Sequence, residues 1–489
     1  MNPDSLFSLI THPLSSTDRS LIEKAFVFAK EKHKDQKRNS GEPYFAHVLA
    51  VAENCAKLDM DTETIVGALL HDVLEDTETS EEEISEQFGE NILFLVKGVT
   101  KLGHLKYHGA ERHVESLRKF FIAMAEDLRV LIIKLADRLH NVQTLQHVPP
   151  EKQKRIALET IEVHAALAGR LGMEQLKDML EDYAFPFAYP KEYETTRTIM
   201  ETIVPEAKKV IASAHKKIEE TLKDFSIAGT VASRIKATYS TYKKLVKYNM
   251  NTELVYDIVA LRVITNSVTD CYQVLGLIHM LWKPIPKRIK DFIALPKPNG
   301  YQSLHTTVIT DHGIVEVQIR TRDMHHKAEL GVASHLVYKE EDASKKKLVP
   351  STQSRFAWID SLKDMSDLPG KPSTFLKQLH MDLFRDRIFV FTPKGDVIDL
   401  PEEGTPVDFA YAIHSDVGNA IASARINSKI APLTTILHNG DIVEIITSKN
   451  AHPSAKWLEY AKTSLAKRHI RAYIAEHGGV LDRLLTKKA

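Results

Sequence analysis

Hydrophobic period limits what this chain can fold into more than any single motif does, because the period changes along the sequence. From Ser16 to about Tyr183 apolar residues recur at helical spacing, as in LIEKAFVFAKEKH, TETIVGALLHDVLED and EDLRVLIIKLADRLHNVQTL. Pro149-Pro150 breaks one of these helices, and the run Phe185-Pro186-Phe187-Ala188-Tyr189-Pro190 is expected to end the helical block. A charged helix over about 191–223 follows. The pattern then becomes mixed: YDIVALRVIT (256–265) and GIVEVQIRT (313–321) predict strands, separated by the helix TDCYQVLGLIHMLW. Lys, Ser and Asp dominate 340–380, which predicts a linker carrying one short helix. From Asp386 the pattern changes again. RIFVFTPKGDVIDL predicts a hairpin around a Pro-Lys-Gly-Asp turn, and LHNGDIVEIIT a later strand introduced by Asn-Gly. The expected organisation is therefore multidomain: an all-helical domain over 1–190, a helical connector over 191–225, an α+β domain over 226–340, a linker over 341–384, a small β-rich module over 385–449 and a helical tail over 450–489.

Bulk properties narrow the function classes. A chain of 489 residues has room for roughly three ordinary domains. Its 65 basic residues balance 65 acidic ones, so no global field draws it to nucleic acid or to a membrane, and any phosphate-binding surface must be local. Cys55 and Cys271 make neither a disulfide framework nor a zinc site, which suits a reducing compartment. With no signal pattern and no apolar run of membrane-spanning length, the expected location is the cytoplasm and no membrane partner is expected.

Two constellations carry chemistry. The first is His71-Asp72 within GALLHDVLEDT, where a continuous helix would place His71 with Glu75 on one face and Asp72 with Asp76 on the next. Other helices supply His47 and Asp137. Two imidazoles and two carboxylates suit Mn²⁺, Fe or Zn, and such an ion polarises a phosphoryl oxygen and acidifies a bound water. Glu75 and Asp76 would sit one turn along, able to orient or deprotonate that water. Taken singly, His47 reads equally as an ordinary helix histidine, and among 23 histidines one His-Asp pair carries little weight. The combination weighs more, because carboxylates on helices as apolar as IIKLADRLHN are costly to bury without an ion or partner.

The second constellation is downstream. In GIVEVQIRT, Val315, Val317 and Ile319 point one way while Glu316, Gln318 and Arg320 point the other, towards a cleft or towards solvent. Asp257 opens the neighbouring strand, and two carboxylates on adjacent strands could share one Mg²⁺ holding a triphosphate. SRIKATYSTYKKLVKY is expected to place Lys236, Lys243 and Lys247 on one helix face with Arg234 and Lys244 beside it. Arg288, Lys290 and Lys297 add to a basic density that suits phosphate oxygens. Asn299-Gly300-Tyr301 puts an aromatic ring on a flexible turn, where it could stack on a base.

KRNSGEPYFAHVLAVA, LLHDVLEDT, VKGVTKL and LIIKLADRLHNVQTL together resemble the hydrolase domain of the RelA/SpoT family of bifunctional alarmone enzymes, an HD-type phosphohydrolase. The resemblance implies that His47, His71, Asp72 and Asp137 bind Mn²⁺, that Glu75 and Asp76 serve the attacking water, and that Arg38, Ser40 and Asn141 contact the nucleotide. YDIVALRV, RIKDFIALPKPNGYQSLHTTV and VEVQIRT resemble the family's synthetase domain, with a nucleotidyltransferase-like fold. This implies pyrophosphate transfer from ATP to the 3′-hydroxyl of GDP or GTP, opposed by hydrolysis of (p)ppGpp in the stringent response. Asp257 would hold Mg²⁺, and Glu316 would assist the metal or activate the 3′-oxygen. Tyr301 would stack on guanine, Arg234, Lys236 and Lys244 would grip ATP phosphates, and His305 and Gln318 would line the acceptor side. The Arg-x-Lys-Asp form at 288–291 resembles the version carried by bifunctional members.

DRIFVFTPKGDVIDLPEEGTPVDFAYAIHSDVGNAIASARIN resembles the TGS domain, a small β-grasp module. By resemblance it contacts tRNA on the ribosome, with His414 at the matching position. Lacking the C-terminal regulatory domains of long members, the chain is expected to be either a short member or a truncated one. Three positions depart from the family pattern: Ser233 and Ala237, which flank the ATP-binding arginine and lysine, and Gly169. The first two put ATP affinity in question and keep two alternatives open, a hydrolase-dominant member with a weakened synthetase and a ribosome- or tRNA-linked stress sensor with vestigial catalysis. Opposed activities on one chain would consume ATP if run together. The two sites are therefore expected to be antagonistic, with 185–225 transmitting the change.

Overall fold

The computed structural model describes residues 2–103, 127–252, 255, 258–297, 299–334 and 387–477. Asp257, the expected linker and the end of the tail beyond 477 lie outside the described residues. The chain divides into two units, Met1–Leu368 and Pro369–Ala489.

In the helical block, apolar stripes decide which helices lie inside. Helix Tyr44–Lys57 buries Phe45, Val48, Val51, Ala52 and Cys55, and helix Leu128–Gln143 buries Val130 to Ile133, Leu135, Ala136 and Leu139. Both are apolar around most of their circumference, so the polar residues they carry go inside with them. That is how His47 and Asp137 come to be buried. Helix starts follow local rules. Ser15 and Asp18 form a reciprocal capping box ahead of Ser16–Lys32, and the Asp61 carboxylate accepts from Thr64 N at 2.7 Å ahead of Thr62–Leu70.

One helical expectation needs correction. GALLHDVLED is not one helix: Thr62–Leu70 stops, His71-Asp72 turn, and a short helix Val73–Asp76 resumes. His71 Nδ1 lies 2.8 Å from the Ala68 carbonyl, the acceptor that Asp72 N–H would use in an unbroken helix, so side chain and backbone compete for one oxygen. The boundary expected within 185–190 is present, between Ala188 and Pro190, but Pro186 does not make it. Helix Glu174–Ala188 runs through Pro186, and Pro190 opens the next helix, Pro190–Asp224, at a first-turn position where its missing N–H costs nothing. An interior proline costs about 3 kcal/mol. Buried Phe185, packed edge-on or tilted against Tyr193, Tyr239 and Tyr242 at 5.0–5.5 Å, supplies compensating contacts.

The second half of this unit is a mixed sheet. Strands β1 (Gly229–Ile235), β2 (Val259–Thr265), β3 (Lys283–Pro284), β4 (Lys290–Asp291), β5 (Leu304–Thr310) and β6 (Gly313–Thr321) lie in the order β1-β2-β6-β5-β3, with β4 also beside β5. Only the β2–β6 pair is parallel. Leu261, Val263, Val315, Val317 and Ile319 pack with Ile211, Ala214, Ile218 and Leu222 of Pro190–Asp224 and with Val274 and Ile278 of helix Val268–Leu281. The strand register then gathers Arg234, Arg262, Glu316, Gln318, Arg320 and His305 on the opposite face.

The helical block and the sheet region meet at two glycines. Gly331, at φ +59°, caps helix Arg322–Leu330 by donating its N–H to Lys327 O at 2.9 Å; a Cβ there would collide with Leu171 O and Gly172 C and stand 2.6 Å from Met173 N. Val332 N donates to Leu171 O at 2.9 Å across the same seam.

Within the second unit, β7 (Arg387–Phe391) and β8 (Val397–Pro401) form the expected hairpin. Strands β9 (Ile421–Ile426), β10 (Lys429–Ala431) and β11 (Val443–Thr447) form a three-stranded sheet ordered β10-β9-β11. Helix Pro406–Ile413 packs its Val407, Ala410 and Tyr411 with Trp457 and with Ala466, Ile470 and Ile474 of helix Ser464–His477, so the described tail shares the module's core. Buried Asp408 ties the two together: it accepts from Thr405 N and Oγ1 and from Lys462 N, Thr463 N and Thr463 Oγ1, all within 2.7–2.9 Å.

Gly331→Ala is expected to cost about 1–3 kcal/mol for the glycine-only backbone alone, with the seam clash adding to it. Gly276→Ala, inside a helix with nothing within 4 Å of the added Cβ, is expected to stabilise by about 0.5–1 kcal/mol. Thermal unfolding of the two variants should move in opposite directions.

Candidate active sites

The first site is a buried pocket under the His71-Asp72 turn. His47 Nε2 lies 3.3 Å from Asp137 Oδ1 and 3.5 Å from Asp72 Oδ2, while His71 Nε2 lies 3.0 Å from Asp72 Oδ2. One ligand atom each from His47, His71 and Asp137 falls within 4.8 Å of the others, all three residues being buried. Asp72 stands at the rim, half-buried, with Oδ2 also accepting from the Tyr44 hydroxyl at 2.7 Å. His71 donates Nδ1–H to Ala68 O, which turns Nε2 inward, and that buried atom has no aligned hydrogen-bond partner among the described residues. Two atoms that are close yet misaligned suit joint attention to an ion rather than to each other.

The electrostatics agree. Burial works against both carboxylates, yet the imidazolium of His71 holds Asp72, and the Lys134 ammonium at 2.8 Å holds Asp137, well below the ordinary carboxylate range. Burial likewise opposes charge on His71, but Asp72 and Asp137 outweigh it and lift its pKa to about 9. The pocket thus carries a cation-sized demand for positive charge, and its nitrogen and carboxylate donors fit a divalent metal.

Around this pocket lie the other expected residues. Glu75 is half-buried and Asp76 exposed on the short helix that follows the turn. Arg38 Nη2 donates to Asn141 Oδ1 at 2.7 Å, and Asn141 Nδ2 donates to Asp137 Oδ1 at 2.6 Å. Ser40 Oγ stands 3.3 Å from Glu42 Oε2. The sequence reading passed over His140, whose Nδ1 meets both Arg38 Nη1 (2.8 Å) and His47 Nδ1 (2.9 Å). Its position three residues after Asp137, one helical turn on, was the available signal.

The second site lies on the polar face of the mixed sheet. Gln318 Nε2 donates to Glu316 Oε1 at 3.1 Å, and His305 Nδ1 stands 3.7 Å from the same oxygen. His305 Nε2 pairs with the Tyr301 hydroxyl at 2.8 Å. Burial, then Lys297 and Lys290, pushes the His305 pKa down to about 3, so the ring stays neutral. Lys297 Nζ sits 5.0 Å above both the Phe292 and Tyr301 rings, and burial lowers its pKa. Lys290 on β4 is paired in register with His305, and Arg288 precedes it on an exposed segment.

The ATP-side expectation is corrected in one respect. Arg234 is not beside a helix face: it belongs to β1, Lys236 follows the strand with its N–H on Ile258 O at 2.9 Å, and the helix is Thr238–Lys247, carrying Lys244. Alternation on β1 sends Arg234 to the polar face and Ser233 to the other, where Ser233 is exposed. Ala237 sits at the N-cap and has no side chain to cap with. Asp182, from the Glu174–Ala188 helix, does so instead, accepting from Thr238 N at 3.1 Å and Tyr239 N at 2.9 Å. Its neighbours on that helix reach over as well: Asp178 pairs with Arg234 at 3.0 Å and Glu181 with Lys243 at 2.8 Å. Sequence reasoning also missed Arg262. It and buried Arg320 converge on Glu329 at 3.0 and 2.9 Å, and burial, then Arg320, draws the Arg262 pKa down to about 10. As the one charged residue within VALRVIT, Arg262 was visible as an oddity.

Comparison with known proteins joins these sites. An HD domain model matches residues 25–174, the region found in RelA / SpoT proteins matches 233–343, and a TGS domain model matches 388–447. A guanosine-3′,5′-bis(diphosphate) 3′-pyrophosphohydrolase of Aquifex aeolicus is 46% identical over 95% of this chain and 67% of its own length. The chain belongs to the RelA/SpoT family. A GTP pyrophosphokinase of Myxococcus xanthus is 45% identical over 95% of the chain and 61% of its own length, and the bifunctional (p)ppGpp synthase/hydrolase SpoT of Escherichia coli is 42% identical over 96% and 66%. The chain thus spans about two thirds or less of these family members. Among its described residues no helix is long and apolar enough to cross a membrane.

If the buried pocket holds a divalent ion, Mn²⁺ at about 100 times its dissociation constant should stabilise the fold by about 2.7 kcal/mol. The check is a rise in thermal midpoint that EDTA reverses and Asp72→Asn diminishes; an unchanged midpoint would remove the metal reading.

Proposed function

We propose that this chain makes and destroys (p)ppGpp. It would transfer pyrophosphate from ATP to the 3′-hydroxyl of GDP or GTP at the sheet, and hydrolyse the product to GDP or GTP plus pyrophosphate in the helical block. The observation that carries the proposal is the buried convergence of His47, His71 and Asp137 with Asp72 at its rim, in a chain that also carries Glu316 amid a basic, polar sheet face.

For hydrolysis, His47, His71, Asp72 and Asp137 would hold Mn²⁺, which when bound polarises a phosphoryl oxygen and acidifies a water. Glu75 and Asp76 orient that water and take its proton. Arg38, Ser40 and Asn141 hold the nucleotide. For synthesis, Asp257 with Glu316 would hold Mg²⁺, which neutralises phosphate charge when bound. Glu316 also draws the proton from the 3′-oxygen. Arg234, Lys236 and Lys244 grip ATP phosphates, with Arg288, Lys290 and Lys297 adding positive charge, while Tyr301 stacks on guanine. His305 and Gln318 line the acceptor side, and a neutral His305 can hydrogen-bond there without adding charge. A contact of exposed His414 with tRNA on the ribosome, and a cytoplasmic location, complete the reading.

Given ATP and GDP with Mg²⁺, and separately ppGpp with Mn²⁺, the purified chain is expected to form and to degrade ppGpp, resolved by chromatography. Asp72→Ala should lower hydrolysis by more than about 100-fold and spare synthesis, with Glu316→Ala doing the reverse. No ppGpp in the first reaction would sink the bifunctional reading.

The Asp178–Arg234 pair supports antagonism between the two sites, because one guanidinium cannot serve Asp178 and an ATP phosphate fully at once. The helix that competes is Glu174–Ala188, just ahead of and overlapping the start of the 185–225 connector expected to carry the change. Asp178→Asn should lower KM for ATP by up to about fivefold, the worth of a partly exposed ion pair, leaving hydrolysis unchanged. Initial-rate kinetics decide it, and an unaltered KM removes the antagonist role of Asp178.

A further inference from the structure

We infer that Arg38 is a positioning residue for the metal pocket, orienting His47 through His140 and Asp137 through Asn141. This inference rests on the reading of that pocket as a divalent-ion site.

Hydrogen-bond direction is fixed at Arg38. Arg38 Nη1 lies 2.8 Å from His140 Nδ1, and a guanidinium can only donate. His140 Nδ1 therefore presents a lone pair. The same Nδ1 lies 2.9 Å from His47 Nδ1. Two bare nitrogens at that distance would repel, so His47 Nδ1 carries the hydrogen, and the one lone pair of His140 Nδ1 is shared between it and Arg38. In the neutral form that metal ligation requires, an imidazole has a single N–H, which leaves the lone pair of His47 on Nε2. Nε2 is the atom facing Asp137 Oδ1 at 3.3 Å and Asp72 Oδ2 at 3.5 Å, at the centre of the pocket.

For His71 the direction is set more simply: Nδ1–H donates to the Ala68 carbonyl, which can only accept, so Nε2 is the atom left for an ion, which would displace the proton held there in the ion-free protein. The partner of His47 is another imidazole, which by itself could be either donor or acceptor at Nδ1. Arg38 removes that ambiguity.

The second branch runs through an amide with the same ambiguity. Arg38 Nη2 donates to Asn141 Oδ1 at 2.7 Å, which directs Asn141 Nδ2 to Asp137 Oδ1 at 2.6 Å. One half-buried guanidinium thus sets the direction of hydrogen bonds to two of the ligands, from two positions on the helix that carries Asp137. Only two of its five N–H groups are used in this way, so the role is compatible with a contact to a nucleotide phosphate.

The test measures Mn²⁺ affinity of the full chain without nucleotide, by electron paramagnetic resonance of the free ion, after apo thermal midpoints show that each variant is folded. His140→Leu removes the acceptor and should weaken Mn²⁺ binding about 10–100-fold, the usual effect of losing a partner behind a metal ligand. In His140→Asn, Oδ1 can take the place of Nδ1 as an acceptor, and most of the affinity should return. Arg38→Met should weaken binding by roughly 10-fold even though no nucleotide is present. Wild-type affinity in either Arg38→Met or His140→Leu would overturn the inference, as would an Asn variant no better than the Leu variant. If the wild-type chain itself bound no Mn²⁺, the metal reading would fall first, which is a separate and recognisable failure.

Discussion

One row of carboxylates joins the two halves of the larger unit. Asp178, Glu181 and Asp182 project from the Glu174–Ala188 helix onto the segment that carries Arg234, the Thr238–Lys247 helix and Lys243. Each meets a different need: a guanidinium, an ammonium and two helix-start N–H groups. Phe185, on the same helix, packs against Tyr239 and Tyr242 beneath them. The start of the Thr238–Lys247 helix is therefore not self-sufficient. Its own N-cap is Ala237, and its capping oxygens belong to the helical block. Asp182 and Asp178 stand one turn apart on Glu174–Ala188, so the cap and the Arg234 pair depend on the same placement of that helix.

The buried histidine–carboxylate pocket follows a different logic. Charges there are buried, and buried charges persist only when paired, hydrogen-bonded or bound to an ion. Lys134 answers Asp137, Tyr44 answers Asp72, and the Ala68 carbonyl answers His71, yet Nε2 of His71 remains without an aligned partner among the described residues. The lifted pKa of His71 records the same imbalance: in the protein by itself a proton partly supplies the positive charge that the carboxylates call for.

Much of this was legible along the chain, and the failures have causes. Strand β6 came out as GIVEVQIRT because its alternation is strict and both faces have distinct work. The residues of the buried pocket were legible because carboxylates and imidazoles sit on helices otherwise too apolar to tolerate them. The break at His71-Asp72 was not, since a histidine ring taking the Ala68 carbonyl leaves no mark on hydrophobic period. The misplacement of Arg234 on a helix had a similar origin: SRIKATYSTYKK has helical spacing of its basic residues, but β1 pairs with β2 over Gly229–Ile235, and long-range pairing outweighs local pattern. Helix Glu174–Ala188 passing Pro186 is a third case in which packing, here of Phe185, outweighs a local penalty.

By itself, then, the sequence determined the succession of helical and β-containing parts, the family, and which residue types stand ready for metal and phosphate chemistry. These are properties of period and side-chain chemistry, and both are local. Tertiary structure decided which nitrogen of His47 faces the pocket, that His140 and Arg38 stand behind it, that Arg262 and Arg320 share Glu329, and that Asp182 caps a helix in the other half. Those depend on directions and distances between segments far apart in the chain, and hydrogen bonds are strict about both.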